Sequence, residues 1–407
     1  MDPTEIPQRP PSLRQLLRDT TSHSVVNGVV AMLFASTGPV AIIFATAHAG
    51  GLSQTDTSSW IFSAFGVGGL LTIGFSLLYR QPMALMWTIP GTVLLSGSLQ
   101  HLRFTEAIGA MLVSGVIIFL LGLTGWVKRL MASIPLPIVM GMVAGVFLPF
   151  ALGVVRAFEQ QWSMAAAMLA AFVVASGWPR LLLRIPPILT ALLAGLAVLQ
   201  WGNAEALPPL PEFQWAEPQF YTPEFSLAAI AELSIPLAVT VIGIQNSQGF
   251  AITRQAGFEP PQSVLTMACG LGTVVVGLMG SVPTCVTGPS NALLQASGEA
   301  RTRYVGGMIF GLLAIAFSLC APFMTALGEV LPVSYIQMLG GLAMWGVLQK
   351  TFISAFRTKF TLGALAAFVV SVSGIEIWQV GAAFWGLLFG FALSLLLERE
   401  DFRTLNS

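Results

Sequence analysis

The chain is poor in charge. Of its 407 residues only 9% are Asp, Glu, Lys or Arg, whereas 55% are hydrophobic, and the mean hydropathy is +0.80. Soluble domains carry about 25% charged residues, so the composition excludes that class and leaves a polytopic membrane protein. Basic and acidic residues number 18 each, which excludes the basic surface that a nucleic-acid partner needs. Cysteine is scarce too. Cys269, Cys285 and Cys320 lie in apolar runs, too few and too scattered for a disulfide framework or a thiolate metal site. The three histidines, His23, His48 and His101, fall near span ends, and no cluster of His, Cys, Asp or Glu is in reach of them, which argues against an enzyme and implies no cofactor or metal. A Walker-type loop is missing, which excludes ATP drive within this chain. So are a ring of repeated charges and a carbonyl filter, which argues against a channel. Met1 to Asp19 is polar and bears prolines, unlike a signal peptide, so the first apolar segment is expected to be retained.

What the chain does contain is apolar runs. A bilayer core of about 30 Å takes about 20 residues of helix. Uninterrupted candidates are 25–47, 58–79, 105–127, 134–155, 162–178, 185–201, 226–251, 263–280, 304–328, 333–349, 360–374 and 378–397, with interrupted ones at 82–98 and 281–298. The expected fold class is therefore all-α with 14 transmembrane segments, the third and tenth broken into a short extended stretch plus a half-helix. Connections are short except 202–225, rich in Pro and Glu, which reads as an external linker.

The basic residues support this count. With the N-terminus in the cytoplasm, inside loops hold 16 of the 18 Lys and Arg, leaving only Arg103 and Arg156 outside, as the positive-inside rule requires. Adding or removing one span scrambles the pattern. Both termini are then expected in the cytoplasm of a cell whose inner membrane holds the protein.

The two interrupted segments resemble each other. "TIPGTVLLSG" from Thr88 and "TGPSNALLQASG" from Thr287 each set proline beside glycine, then small polar residues and a Leu-Leu pair. "SIPLPIVMGMVAG" from Ser133 and "VLPVSYIQMLGG" from Val330 echo one another next. Seven spans per half is an odd number, so the second copy enters from the opposite side and the repeats are inverted.

Proline breaks a helix and frees backbone groups, which at membrane depth must be buried in protein or line a cavity. Half-helices starting near Gly91 and Ser290 would aim their positive N-terminal ends at one midplane cavity, which suits a carboxylate. The candidate binding residues are Pro90, Gly91 and Thr92 in segment 3, Ser290 and Asn291 in segment 10, Ser36 and Thr37 in segment 1, and Gln245 and Asn246 in segment 8. For the last pair the competing role is interhelical glue; Ser36 and Thr37 can equally satisfy their own helix carbonyls. Phe34, Trp87 and Phe250 lie beside these clusters and could sandwich a planar ring, or simply pack.

Taken in order, "NGVVAMLFASTGPVAIIFATA", "MALMWTIPGTVLLSG", "GIQNSQGFAI" and "VTGPSNALLQ" resemble the benzoate:proton symporter family of BenE type, over about residues 20 to 398. The resemblance implies the seven-plus-seven inverted repeat shared with uracil/xanthine permeases and sulfate/bicarbonate transporters. It also implies a core domain (25–127 and 226–328), a gate domain (128–201 and 329–397), cytoplasmic segments 1–24 and 398–407, and substrate held between spans 1, 3, 8 and 10. The implied partners are an aromatic carboxylate, a proton, the lipid bilayer and a second copy of the chain in a homodimer. Proton-coupled nucleobase permeases carry acidic residues in spans 8 and 10, where this chain has Gln245, Asn246, Pro289 and Ser290. With no carboxylate at mid-depth, the proton is expected to ride on the substrate. Glu232 and His48 are the alternative carriers, each otherwise an interfacial charge.

Overall fold

The computed structural model describes residues 6–125, 135–178, 186–202, 211–296, 298–377 and 380–403. Lys128, Arg129, Arg180, Arg184 and the linker stretch 203–210 lie outside the described residues. The first half runs α1 (Leu13–Asp19), α2 (Ser22–Ala49), α3 (Gln54–Tyr79), β1 (Leu85–Trp87), α4 (Ile89–Ser98), α5 (Phe104–Thr124), α6 (Leu136–Gln160), α7 (Trp162–Gly177) and α8 (Pro187–Gly202). In the second half follow α9 (Leu227–Gln255), α10 (Gln262–Leu278), β2 (Thr284–Val286), α11 (Gly288–Leu294), α12 (Arg303–Leu319), α13 (Ala321–Val330), α14 (Val333–Phe356), α15 (Thr361–Ser373), α16 (Ala382–Leu397) and α17 (Arg399–Arg403).

The protein is a mostly helical, polytopic membrane fold. Among the described residues six helices are long and apolar enough to cross a bilayer, or seven if α13 and α14, bent by 113° at their junction, form one span. The apolar helices α7, α10, α15 and α16 have 16, 17, 13 and 16 residues. At about 1.5 Å per residue these fall short of a 30 Å core when taken alone. The continuous candidate at 304–328 is interrupted: α12 stops at Leu319, and α13 restarts behind Pro322 at its N-terminus.

The two interrupted segments meet. β1 and β2 pair antiparallel, with Leu85 opposite Val286, Met86 opposite Cys285 and Trp87 opposite Thr284, and all six residues are buried. A two-stranded ribbon deep in a membrane has outer edges that no water can satisfy. Side chains do so here. Thr72 of α3 accepts from the Leu85 N–H (2.9 Å), Thr273 of α10 from Thr284 (3.1 Å), Asn246 of α9 from Val286 (2.8 Å), and Asn291 of α11 from Ala84 (3.1 Å). Each strand then turns into a helix with proline in its first turn, Pro90 or Pro289, where a missing N–H costs nothing. The helices begin at Ile89 and Gly288, two residues before the expected starts.

Around this ribbon α3 packs on α12 and α5 on α10, while α6 packs on α14 and α15, and α15 on α16. The α3–α12 crossing depends on glycine: a Cβ at Gly69 would lie 2.7 Å from the Gly311 carbonyl, and one at Gly311 would lie 2.7 Å from the Gly69 carbonyl. Small residues of this kind let membrane helices approach without a hydrophobic drive. Within α9, two π-turns, Ile230–Ser234 and Thr240–Asn246, interrupt the α-helical run. Pro236 accounts for the first, since it lacks an N–H and its ring crowds the carbonyl of Glu232 four residues earlier.

Candidate functional site

A cavity of about 400 Å³ lies where the two strand-helix turns face α2, α6, α9 and α14. That volume falls within the range of small-molecule sites. Its aromatic and aliphatic wall includes Phe34, Met86, Trp87, Met140, Val143 and Phe147. Polar groups come from Gln245, Ser247 and Gln248 of α9, from Thr287 and Ser290 at the second turn, and from Lys350, Thr351 and Ser354 of α14. No Asp or Glu lines it among the described residues.

Two of the polar atoms lack partners. Trp87 Nε1 and Thr287 Oγ1 are both buried without a hydrogen bond, on residues 4% and 8% exposed. A buried donor left unpaired costs about 1–3 kcal/mol, and both belong to residues of the cavity wall. The Trp87 ring is fixed from behind by Phe65, with centroids 4.5 Å apart and planes tilted by 51°. Of the lining residues Leu136, Gln248, Lys350 and Ser354 are exposed, whereas Trp87, Gln245, Thr287 and Ser290 are buried. The Lys350 ammonium thus belongs to the mouth.

Of the nine candidate binding residues Pro90, Gln245 and Ser290 line this cavity, as do Phe34 and Trp87 of the three neighbouring aromatics. The other six candidates do not. The Ser36 and Thr37 hydroxyls donate to the Leu33 carbonyl of their own helix, at 3.4 and 2.7 Å. Gly91 gives its N–H to the Thr88 hydroxyl (3.2 Å), and Thr92 gives its hydroxyl to the Thr88 carbonyl (3.0 Å). Asn246 and Asn291 hold the strand edges. Ser247 and Gln248, which complete the polar cluster of segment 8, also line the cavity, and residues that the sequence does not single out are Thr287, Thr351 and Lys350. Thr287 precedes the break, and Lys350 falls among the loop charges on the sequence.

Glu232 differs from its expected role. It is 3% exposed, not an interfacial charge, because the first π-turn of α9 carries it between α4 and the start of α16. The Ser98 hydroxyl donates to its Oε1, and His101 Nε2 lies 2.9 Å from its Oε2. His48, by contrast, is exposed.

Comparison with known proteins places this architecture. A family model described as benzoate membrane transport protein matches residues 18–396. The inner membrane protein YdcO of Escherichia coli (strain K12) is 28% identical over 389 residues, covering 93% of this chain and 98% of that protein. A benzoate membrane transport protein of Acinetobacter baylyi is 28% identical over 392 residues, covering 95% and 98%. In fold, the transmembrane domain of the cyanobacterial bicarbonate transporter BicA is similar, with a TM-score of 0.60, 14% identity and coverage of 91% and 97%. The Acinetobacter relative and BicA are transporters by name, not enzymes. Together, the buried strand pair, the apolar cavity and a family match spanning nearly the whole chain identify a multi-pass inner-membrane transporter that belongs to the benzoate membrane transport (BenE) family.

Proposed function

We propose that the chain imports benzoate or a similar aromatic carboxylate together with a proton, by alternating access between a core domain and a gate domain. The observation that carries this reading is the pair of unpartnered donors, Trp87 Nε1 and Thr287 Oγ1, on the wall of an apolar cavity that has Lys350 at its mouth and no carboxylate. An aromatic ring suits Trp87, Phe34 and Phe147. Its carboxylate suits the donors of Thr287, Ser290 and Gln245, since a hydrogen bond to a charged group is worth about 1.5–3 kcal/mol.

The core is 25–127 with 226–328, and the gate is 128–201 with 329–397. Supporting this division, α3–α12 and α5–α10 pack within the core and α6–α14, α6–α15 and α15–α16 within the gate. The cavity lies between α2, α4, α9 and α11 of the one and α6 and α14 of the other. The basic-residue distribution supports fourteen segments with both termini cytoplasmic, and the echoing motifs with seven spans per half support two inverted halves. In that orientation Lys350 and Ser354 face the cytoplasm, so the cavity is open inward.

An anion entering a negative-inside cell is opposed by about 2.3 kcal/mol per charge per 100 mV, so accumulation needs a compensating cation. The test is a thermal-shift series with benzoate and uracil, then uptake into proteoliposomes. Benzoate is expected to raise the melting temperature and uracil to leave it unchanged, and an inward proton gradient to accelerate benzoate uptake. Stabilisation by uracil alone would replace the substrate; acceleration by a sodium gradient at equal pH would replace the proton.

A further inference from the structure

Toward the C-terminal end of α6, away from Lys350, lies a second cavity, of about 610 Å³, lined by the second half of α4, by α6, and by Gly374, Glu376 and Gly381 between α15 and α16. Its ionisable groups are Glu232, His101, Glu376 and Arg156. Glu232 is buried, with the Ser98 hydroxyl on one carboxyl oxygen and His101 Nε2 at 2.9 Å on the other. The opposite ring nitrogen of His101, Nδ1, lies 3.9 Å from Glu376, and the His101 side chain is 22% exposed. A chain therefore runs from an exposed carboxylate through an imidazole to a buried carboxyl group. Nearby on α5, Glu106 is occupied by Arg103, whose own N–H it accepts at 3.0 Å.

The buried end of that chain touches the gate. A Cβ at Gly381, the N-cap of α16, would sit 2.6 Å from Glu232 Oε1, so α16 starts directly against this carboxyl. A helix N-terminus favours a negative group beside it. Glu232 lies on α9 and Ser98 on α4, both core elements by the division above, whereas α16 belongs to the gate.

We infer that the Glu232–His101 pair is a proton-binding site at the seam between core and gate, and that it carries the coupled proton. The inference rests on the proposed transport reading, and it replaces the expectation that the proton rides on the substrate. Hydronium gives one proton, through His101, to a Glu232 oxygen and leaves as water; the carboxylate becomes a neutral carboxyl and its attraction for the start of α16 is lost. Proton uptake thereby loosens the seam on the side that is closed when the Lys350 cavity is open. Release of the proton restores it.

Two measurements decide this. The first is the pH-difference infrared spectrum of the full chain in lipid, with no substrate present, which reads protonated carboxyl groups directly. A band from a buried carboxylic acid is expected in the wild type, lost in Glu232→Gln, and shifted in its pH midpoint in His101→Gln, which keeps the carboxyl in place. A band that survives Glu232→Gln, or a midpoint unmoved by His101→Gln, would overturn the site whatever the substrate is. The second is proteoliposome transport of benzoate. Glu232→Gln should lose the acceleration by an inward proton gradient, and retained acceleration would overturn the coupling role. Wild-type protein that shows the infrared band but does not exchange benzoate at equal pH would leave the proton site standing and remove the substrate reading alone.

Discussion

Asn291 and Ala84, at the feet of the two opposed half-helices, exchange a pair of hydrogen bonds: the Ala84 N–H donates to Asn291 Oδ1 at 3.1 Å, and Asn291 Nδ2 donates to the Ala84 carbonyl at 3.2 Å. The same Nδ2 also donates to the Thr287 carbonyl at 2.7 Å. One amide thus behaves as a missing third strand, closing the backbone of β1 where the chain crosses the protein interior.

It follows that Asn291→Leu acts on folding before it acts on the substrate. It strands the buried Ala84 N–H, which costs about 1–3 kcal/mol, while the Ala84 carbonyl keeps the Thr287 N–H at 3.0 Å. The expected outcome is a lowered melting temperature and poor yield in detergent, with Asn291→Asp, which keeps the acceptor, less affected. Equal stability of Asn291→Leu and wild type in a thermal unfolding assay would show that the clamp is dispensable.

The cavity donors behave differently. Trp87→Phe keeps a ring against Phe65 and removes only the unpartnered Nε1, and Thr287→Val keeps the side-chain shape and removes only the unpartnered hydroxyl. Because each wild-type donor is already unpaired in the free protein, both variants should keep or gain stability. Each should weaken carboxylate binding by about 1.5–3 kcal/mol, or roughly ten- to a hundredfold in Kd. Isothermal titration of the two variants with benzoate checks this, and unchanged affinity in both would remove the carboxylate from this wall.

Much of this architecture is legible from residue chemistry, and the site only partly. Pro90 and Pro289 mark the breaks because no neighbour can replace a proline's missing N–H, so the interruption shows in the residues themselves. The strands they follow do not show: three residues are too few to display an alternation. Asn246 and Asn291 are legible as candidate substrate ligands but not as strand clamps, since an amide at membrane depth reads alike whether a ligand or a backbone edge satisfies it. Glu232 reads as an interfacial charge because the groups that bury it, Ser98, His101 and Gly381, lie far along the chain, and because the π-turn that Pro236 imposes does not show in hydropathy. Lys350 looked like a loop charge because hydropathy ends a span where the residues turn polar, whereas α14 continues to Phe356.

Lys350 gives a prediction about rate. An exposed ammonium at the mouth raises the local concentration of an anion, an effect that falls with ionic strength. Lys350→Gln should slow benzoate association several-fold at low salt, with the difference shrinking as salt is added, and Lys350→Glu should slow it further. Stopped-flow tryptophan fluorescence across a salt series reads this; parallel curves for wild type and variant would assign Lys350 to the surface alone.

Ser354 offers a joint test of topology and of the open end of the cavity. Cys269 and Cys285 are buried and only Cys320 is partly exposed, so Cys320→Ser gives a background of low reactivity in which an introduced cysteine reports its own surroundings. Ser354→Cys sits on the exposed end of the cavity, and Glu217→Cys sits in the linker. An impermeant maleimide added to intact cells should label the linker position and leave 354 unreacted; on inside-out vesicles the pattern should reverse. Benzoate should then protect position 354 but not Arg357→Cys, which follows α14 and does not line the cavity. Labelling of 354 and 217 from the same side would overturn the inward-open orientation. Labelling of 354 from the expected side but without protection by benzoate would leave the topology intact and move the substrate elsewhere.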